Sequence, residues 1–217
     1  GARESLLFCY GSLLEDTGPA NIDALREATP ELMAVAREVA RREPVGVAAY
    51  RPAVGEPGAD AYVFDSAGMI GLPLVPCHAF PRDAKAAFFT THALADGELV
   101  DKLAALIARG ARVLLTDGLA EQLRGRIAID ASNVHILPIA GKPKSLLELP
   151  QDAIDAIRKP MLAAIDHAFS APNRVALYLF DGGSWVVENF NDEPAQVMLD
   201  GVAMDIPARG WRYDWMA

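Results

Sequence analysis

The chain has 217 residues, enough for one ample domain or for a domain of about 150 residues with a smaller companion. Hydrophobic residues make up 52% and charged residues 23%, which excludes the composition of a disordered chain, and a net charge of −9 excludes a generic phosphate-binding surface. Nucleic acid is therefore not an expected partner. The two cysteines, Cys9 and Cys77, lack metal-type spacing, and no run of about 18 apolar residues occurs, so no disulfide framework, metal site, cofactor or membrane partner is expected. Two reduced thiols fit a cytoplasmic compartment. A periplasmic or secreted one stays open, because residues 1–5 carry no initiator Met and read as the start of an excised piece whose targeting segment would lie upstream.

In chain order, residues 6–10 form a short apolar run closed by Gly11-Ser12, a predicted buried strand, and 16–29 read as a polar connection. Thr29 and Pro30 supply a helix cap and first-turn proline for an amphipathic helix carrying Leu32, Val35, Ala36 and Val39 and closed by Arg41-Arg42. Short apolar runs then alternate with helical stretches, the signature of a parallel sheet with helical crossovers. The predicted strands are 45–49, 72–75, 86–90, 113–115 and 134–137, with helices at 59–70, 97–109 and 119–124. The middle helix is the clearest, with Asp96 as cap, Leu99, Leu103, Leu106 and Ile107 on one face and Gly110 as stop. Strands apolar throughout imply cover on both faces, hence a doubly wound sheet. A helical pattern over 151–169 contains Pro160, which predicts either a kink or a second helix. Beyond it, strand-like runs at 174–180, 184–190, 195–199, 202–206 and 211–215 are separated by turn residues such as Asp200-Gly201. So small a β-unit must dock on the α/β domain or on a partner chain.

In an open parallel sheet, ligands bind beyond the carboxyl ends of the strands. The residues there are Tyr50-Arg51, Cys77-His78, Thr91-His92 and Thr116-Asp117. Cys77, His78, His92 and Asp117 are the candidate nucleophile, bases and orienting carboxylate, with Tyr50, Arg51, Thr91 and Thr116 as ligand-binding candidates. Each has a structural alternative: Thr116 or Asp117 as a helix cap, Cys77 as a buried small hydrophobe, the histidines satisfied by backbone. Glu56, Asp60 and Asp65 could form a carboxylate cluster but read as a solvated helix start. All three tryptophans fall near the end, and Trp211, Tyr213 and Trp215 alternate onto one strand face, a surface for a sugar, a partner or the neighbouring domain.

Several stretches carry a family resemblance. Pro44-Val45-Gly46-Val47-Ala48-Ala49-Tyr50-Arg51-Pro52, Gly68-Met69-Ile70-Gly71-Leu72-Pro73, Ala79-Phe80-Pro81 and Val113-Leu114-Leu115-Thr116-Asp117-Gly118-Leu119 resemble the glutamine-amidotransferase-like middle domain that follows the catalytic barrel in family 42 β-galactosidases and related bacterial proteins. Residues 1–12 are similar to the last strand of such a barrel, and 185–193 to the β-rich tail. The resemblance implies a flavodoxin-like (class I glutamine amidotransferase-like) doubly wound α/β fold with a small C-terminal antiparallel β-domain, divided as 1–29, 30–170 and 171–217. It also implies an upstream barrel, self-association through trimer-type contacts and carbohydrate as a ligand of the parent protein. Active amidotransferases place a cysteine in the turn after a central strand, with His and Glu two residues apart downstream. Here that turn is Thr116-Asp117-Gly118-Leu119-Ala120, and His135 and His167 are followed by Ile136-Leu137 and Ala168-Phe169, so glutaminase chemistry is not expected. The leading expectation is a non-catalytic accessory and oligomerisation domain of a glycoside-hydrolase-like protein. The alternatives are a small hydrolase built on the rim and a sugar-binding module.

Overall fold

A computed structural model describes residues 19–216. The predicted strand at 6–10, with Cys9, and the barrel-like segment 1–12 lie outside the described residues. The chain divides into two compact units, residues 1–43 and 44–217. In the first, helix α1 spans Pro19–Val39, with Pro30 inside it. The helix thus begins well before Thr29, which does not cap it. Thr29 Oγ1 instead donates back to the Leu25 carbonyl at 2.6 Å. Ala20, Leu25, Arg26 and Ala28 are good helix formers, and Pro19 sits in the first turn, where a missing N–H is harmless.

The second unit is mixed α/β. Its centre is a parallel sheet of β2 (Val47–Tyr50), β3 (Leu74–Cys77), β4 (Ala86–Phe89), β5 (Arg112–Thr116) and β6 (Val134–Leu137), in the spatial order β3-β2-β4-β5-β6. All five predicted strands are present, and every neighbouring pair is parallel. Side chains alternate across the sheet. Ala87, Phe89, Val113 and Leu115 pack with α3 (Leu99–Ala108) and α4 (Asp117–Leu123), whereas Ala86, Phe88 and Leu114 pack with α2 (Val63–Met69) and α5 (Gln151–Ala163). Cover on both faces is why these strands read as unbroken apolar runs. Asp96 accepts from the Glu98 amide at 3.0 Å ahead of α3, and Gly110 ends it at φ +86°.

Two helices differ from expectation. The predicted 59–70 helix is a 3-10 turn at Gly58–Asp60 and a separate α2, divided at Tyr62 with φ 65°. The helix predicted over 151–169 ends at Ala163, and no second helix starts at Pro160; buried Ile157, Met161 and Leu162 hold α5 on both sides of it.

The C-terminal residues form two antiparallel sheets. One joins β1 (Pro44–Val45), β8 (Val175–Phe180), β9 (Trp185–Asn189) and β12 (Trp211–Asp214); the other joins β11 (Val202–Ile206), β10 (Ala195–Leu199) and β7 (Phe169–Ser170). Val175, Leu177, Leu179 and Val187 face Val197, Leu199 and Ile206 across a core that also takes in Leu162 of α5. The β-unit is docked on the α/β domain, because β1 pairs with β8 (Pro44 with Phe180, Val45 with Leu179). At Gly46 the chain then leaves this sheet for the parallel one. A Cβ there would lie 2.1 Å from the Pro73 carbonyl oxygen, at φ +152°. The junction is locked by Arg158, fully buried, which donates to Asp155 (2.7 Å), to the Ala171 carbonyl (3.0 Å) and to the Ile70 carbonyl (3.3 Å), over the Phe169 ring. Gly71 makes room for it, since a Cβ there would meet Phe169 at 2.8 Å and Arg158 at 3.0 Å.

Candidate functional site

The carboxyl ends of β2, β4 and β5 lie side by side, and the strand order reverses between β2 and β4. That crevice is where a ligand enters a sheet of this kind. Here the chain's own segment 52–60 runs over it. Gly55 lies so close to β4's exit that a Cβ would stand 2.5 Å from the His92 carbonyl oxygen, and Pro57 O accepts from Thr91 Oγ1 at 2.7 Å. Asp60 ends the segment, 1% exposed. Its Oδ2 accepts from the Thr91 amide and from Thr116 Oγ1, both at 2.7 Å, so one carboxylate ties the exits of β4 and β5 together. Its Oδ1 has no hydrogen-bond partner among the described residues and lies 3.8 Å from where a Cβ on Gly118 would stand. Asp60 is therefore not part of a solvated helix start. The 3-10 turn aims it inward to the strand ends, while Glu56 and Asp65 stay exposed.

Most of the other rim residues are also engaged. Thr116 caps α4, accepting from the Leu119 amide at 3.4 Å. Asp117 accepts from the Gly118 amide (2.9 Å) and from the Ala140 amide (2.7 Å), fastening the loop after β6. His92, buried, shares a 2.7 Å hydrogen bond between Nδ1 and Thr90 Oγ1, and burial, helped by the Arg51 charge, pushes its pKa down, which keeps the ring neutral. The exposed His78 ring bonds the Arg51 carbonyl at 2.8 Å. Cys77 is half-buried, and burial pushes its thiol pKa up, the wrong direction for a nucleophile. Among the described contacts, no hydrogen bond joins Cys77 to His78, His92 or Asp117. Tyr50 donates to Asp96 Oδ2 at 2.9 Å, and burial together with that bond raises the phenol to about 12. Lys102 completes the cluster, at 2.9 Å from both Asp96 oxygens. Arg51 is exposed.

Residues 43–170 match the family described as uncharacterized protein SSO3021, second domain. The chain belongs to this family. No curated protein and no solved structure matches it. The SSO3021 second-domain match starts beside β1 and ends with β7, so it covers the parallel sheet, the rim and α5, and stops short of most of the β-unit.

Within the SSO3021 second-domain region, the sequence signals pointed to strand ends and missed the two charges that matter most to its architecture, Asp60 and Arg158. Among the described residues, no group of three or more His, Cys, Asp and Glu is placed to hold a metal, and no helix is long and apolar enough to cross a membrane. Outside the matched region, Tyr213 stacks on Trp215 with ring centroids 5.2 Å apart, and Trp215 also meets Phe180 at 5.9 Å. Trp211 is paired with Glu188, and Tyr213, 37% exposed, with Val186. These three aromatic residues are partly exposed at the sheet's end rather than sealed in its core.

Proposed function

We propose that the chain is a non-catalytic accessory domain of a larger carbohydrate-active protein, in which it supports assembly beside a catalytic barrel. The observation that carries this reading is the closed crevice: segment 52–60 occupies the place where substrate would enter, and Asp60 fastens it to Thr91 and Thr116. A Cys/His/Asp hydrolase would need an activated thiol with a base in reach, and the raised Cys77 pKa argues against it. Numbered within the parallel sheet, the strand order is 2-1-3-4-5, the flavodoxin-like order, which supports the finer reading of the fold as flavodoxin-like and class I glutamine-amidotransferase-like. The family's description as a second domain supports a parent with a preceding domain, which we take to be the barrel.

Self-association is the functional consequence, with Trp211, Tyr213 and Trp215 as the proposed contact, since Tyr and Trp supply large, rigid area at interfaces. A stable interface buries more than about 1,000 Å². Sedimentation velocity of the wild type and of a Trp211→Ala, Trp215→Ala double variant tests the proposal. A concentration-dependent oligomer that the folded double variant lacks is expected. A wild type that stays monomeric into the high micromolar range would overturn it.

A further inference from the structure

A cavity of about 330 Å³ opens on the α2 face of the parallel sheet, where β3 is the edge strand and β8 of the antiparallel sheet comes alongside. It exists because the two sheets part company at Gly46, and because Ala49 on β2 and Gly68 on α2 contribute no bulk to the space between them. Its walls are Phe64, Met69, Leu72, Leu74, Pro76 and Ala176. Two charged side chains line it as well, Arg51 from the end of β2 and Asp65 from α2. Both are exposed, and neither makes a hydrogen bond or ion pair among the described residues.

Gly68 adds an independent observation. A glycine in a helix lowers helix stability, and such a residue is usually kept because the backbone or a neighbour requires it. Neither holds here: Gly68 has no left-handed φ, and a Cβ on it would meet nothing within 4 Å. What its missing side chain does is leave the cavity open.

We propose that this cavity binds a free apolar α-amino acid as its zwitterion. The side chain lies against the apolar walls, the carboxylate on the Arg51 guanidinium and the ammonium on Asp65. The volume is at the small end of ligand pockets, roughly 300–1,000 Å³, which suits one compact molecule. A guanidinium fork matches a carboxylate in two parallel hydrogen bonds. A sugar would set most of its hydroxyls against the Leu, Met and Pro walls, with only Arg51, Asp65 and Tyr178 to answer them. A simple carboxylic acid would leave Asp65 unanswered, and a phosphate would be repelled by it. This inference does not rest on the accessory-domain reading: it uses the α2 face and Arg51 at the exit of β2, and none of the contacts by which segment 52–60 closes over the β4 and β5 exits.

Titration calorimetry of the full chain with L-phenylalanine, L-leucine and 3-phenylpropionate tests it. Saturable binding of the amino acids is expected, with 3-phenylpropionate, which lacks the ammonium, at least about tenfold weaker. Arg51→Ala and Asp65→Asn, both at exposed positions, should each weaken phenylalanine binding by about tenfold or more. Gly68→Leu should fill the cavity and abolish binding while the folded spectrum is kept. The proposal is overturned by no binding of either amino acid at about 10 mM. It is equally overturned by phenylalanine binding that survives Asp65→Asn or Gly68→Leu, by 3-phenylpropionate binding as tightly as phenylalanine, or by a hexose binding where the amino acids do not.

Discussion

Replacing Asp60 with alanine tests whether one carboxylate closes the crevice. Its Oδ2 receives two hydrogen bonds of 2.7 Å, from the Thr91 amide and the Thr116 hydroxyl, in a site 1% exposed. Hydrogen bonds to a charged group contribute about 1.5–3 kcal/mol each, and the two donors would be left buried without a partner. Against this, the substitution removes Oδ1, a buried oxygen with no partner of its own. The net expectation is a loss of about 3 kcal/mol. With a urea m-value of about 2 kcal/mol/M, the midpoint would fall by about 1.5 M. Asp60→Asn keeps one acceptor for both donors but places an NH₂ where Oδ1 was, so a smaller loss of about 1–2 kcal/mol is expected. Urea unfolding gives the totals, and amide exchange at Thr91 gives the local effect, which should be a loss of protection in the alanine variant. An alanine variant within about 0.5 kcal/mol of wild type, with Thr91 still protected, would refute the reasoning.

Arg158→Ala should destabilise the chain by about 3–5 kcal/mol, because it removes a fully buried guanidinium that holds Asp155 and two carbonyls; a loss below about 1 kcal/mol by urea unfolding would contradict this. Burial alone would raise the Asp96 pKa, but Lys102, the Glu98 amide and Tyr50 together hold it below its ordinary 3.8. A carboxylate lowered on folding stabilises the native state above its unfolded pKa, and that contribution is lost as pH falls through the folded value. Wild-type stability should therefore drop more steeply than that of Asp96→Asn below about pH 4, measured by urea midpoints from pH 6 to 3; parallel curves would count against the cluster.

The strands were legible because their signal is local. Ala86–Phe89 and the stretch 113–115 are apolar along their length, and Gly110 stops α3 as its chemistry suggests, whereas Asp96 lies two residues ahead of Glu98, which holds the cap position. Proline gave the wrong punctuation in α1, where flanking helix formers carry the helix through Pro30, and in α5 packed residues carry one helix through Pro160 with no second helix starting there. Asp60 and Arg158 could not be read at all. Their tertiary partners lie far along the chain, Thr116 at 56 residues from Asp60 and Ile70 at 88 from Arg158, and the local partner of Arg158, Asp155, makes an i,i+3 pair of the kind found on solvated helix faces. The rim residues were located correctly as strand exits. The hydrogen bonds that spend Thr91 and Thr116 on structure depend on how segment 52–60 folds back, and only the three-dimensional arrangement displays that.

The central proposal is that the rim performs no chemistry, and the most direct measurement is turnover of the proposed larger carbohydrate-active protein on its own substrate. Cys77→Ala and His78→Ala, each checked for a native spectrum, remove the thiol and the exposed imidazole from the strand ends. His92→Gln, checked in the same way, removes the buried ring. Activity within a few-fold of wild type is expected for all three variants, because none would take away a reacting group. A loss of about a thousand-fold in kcat for any one of them, in a folded protein, would contradict the claim and place the reaction at this rim.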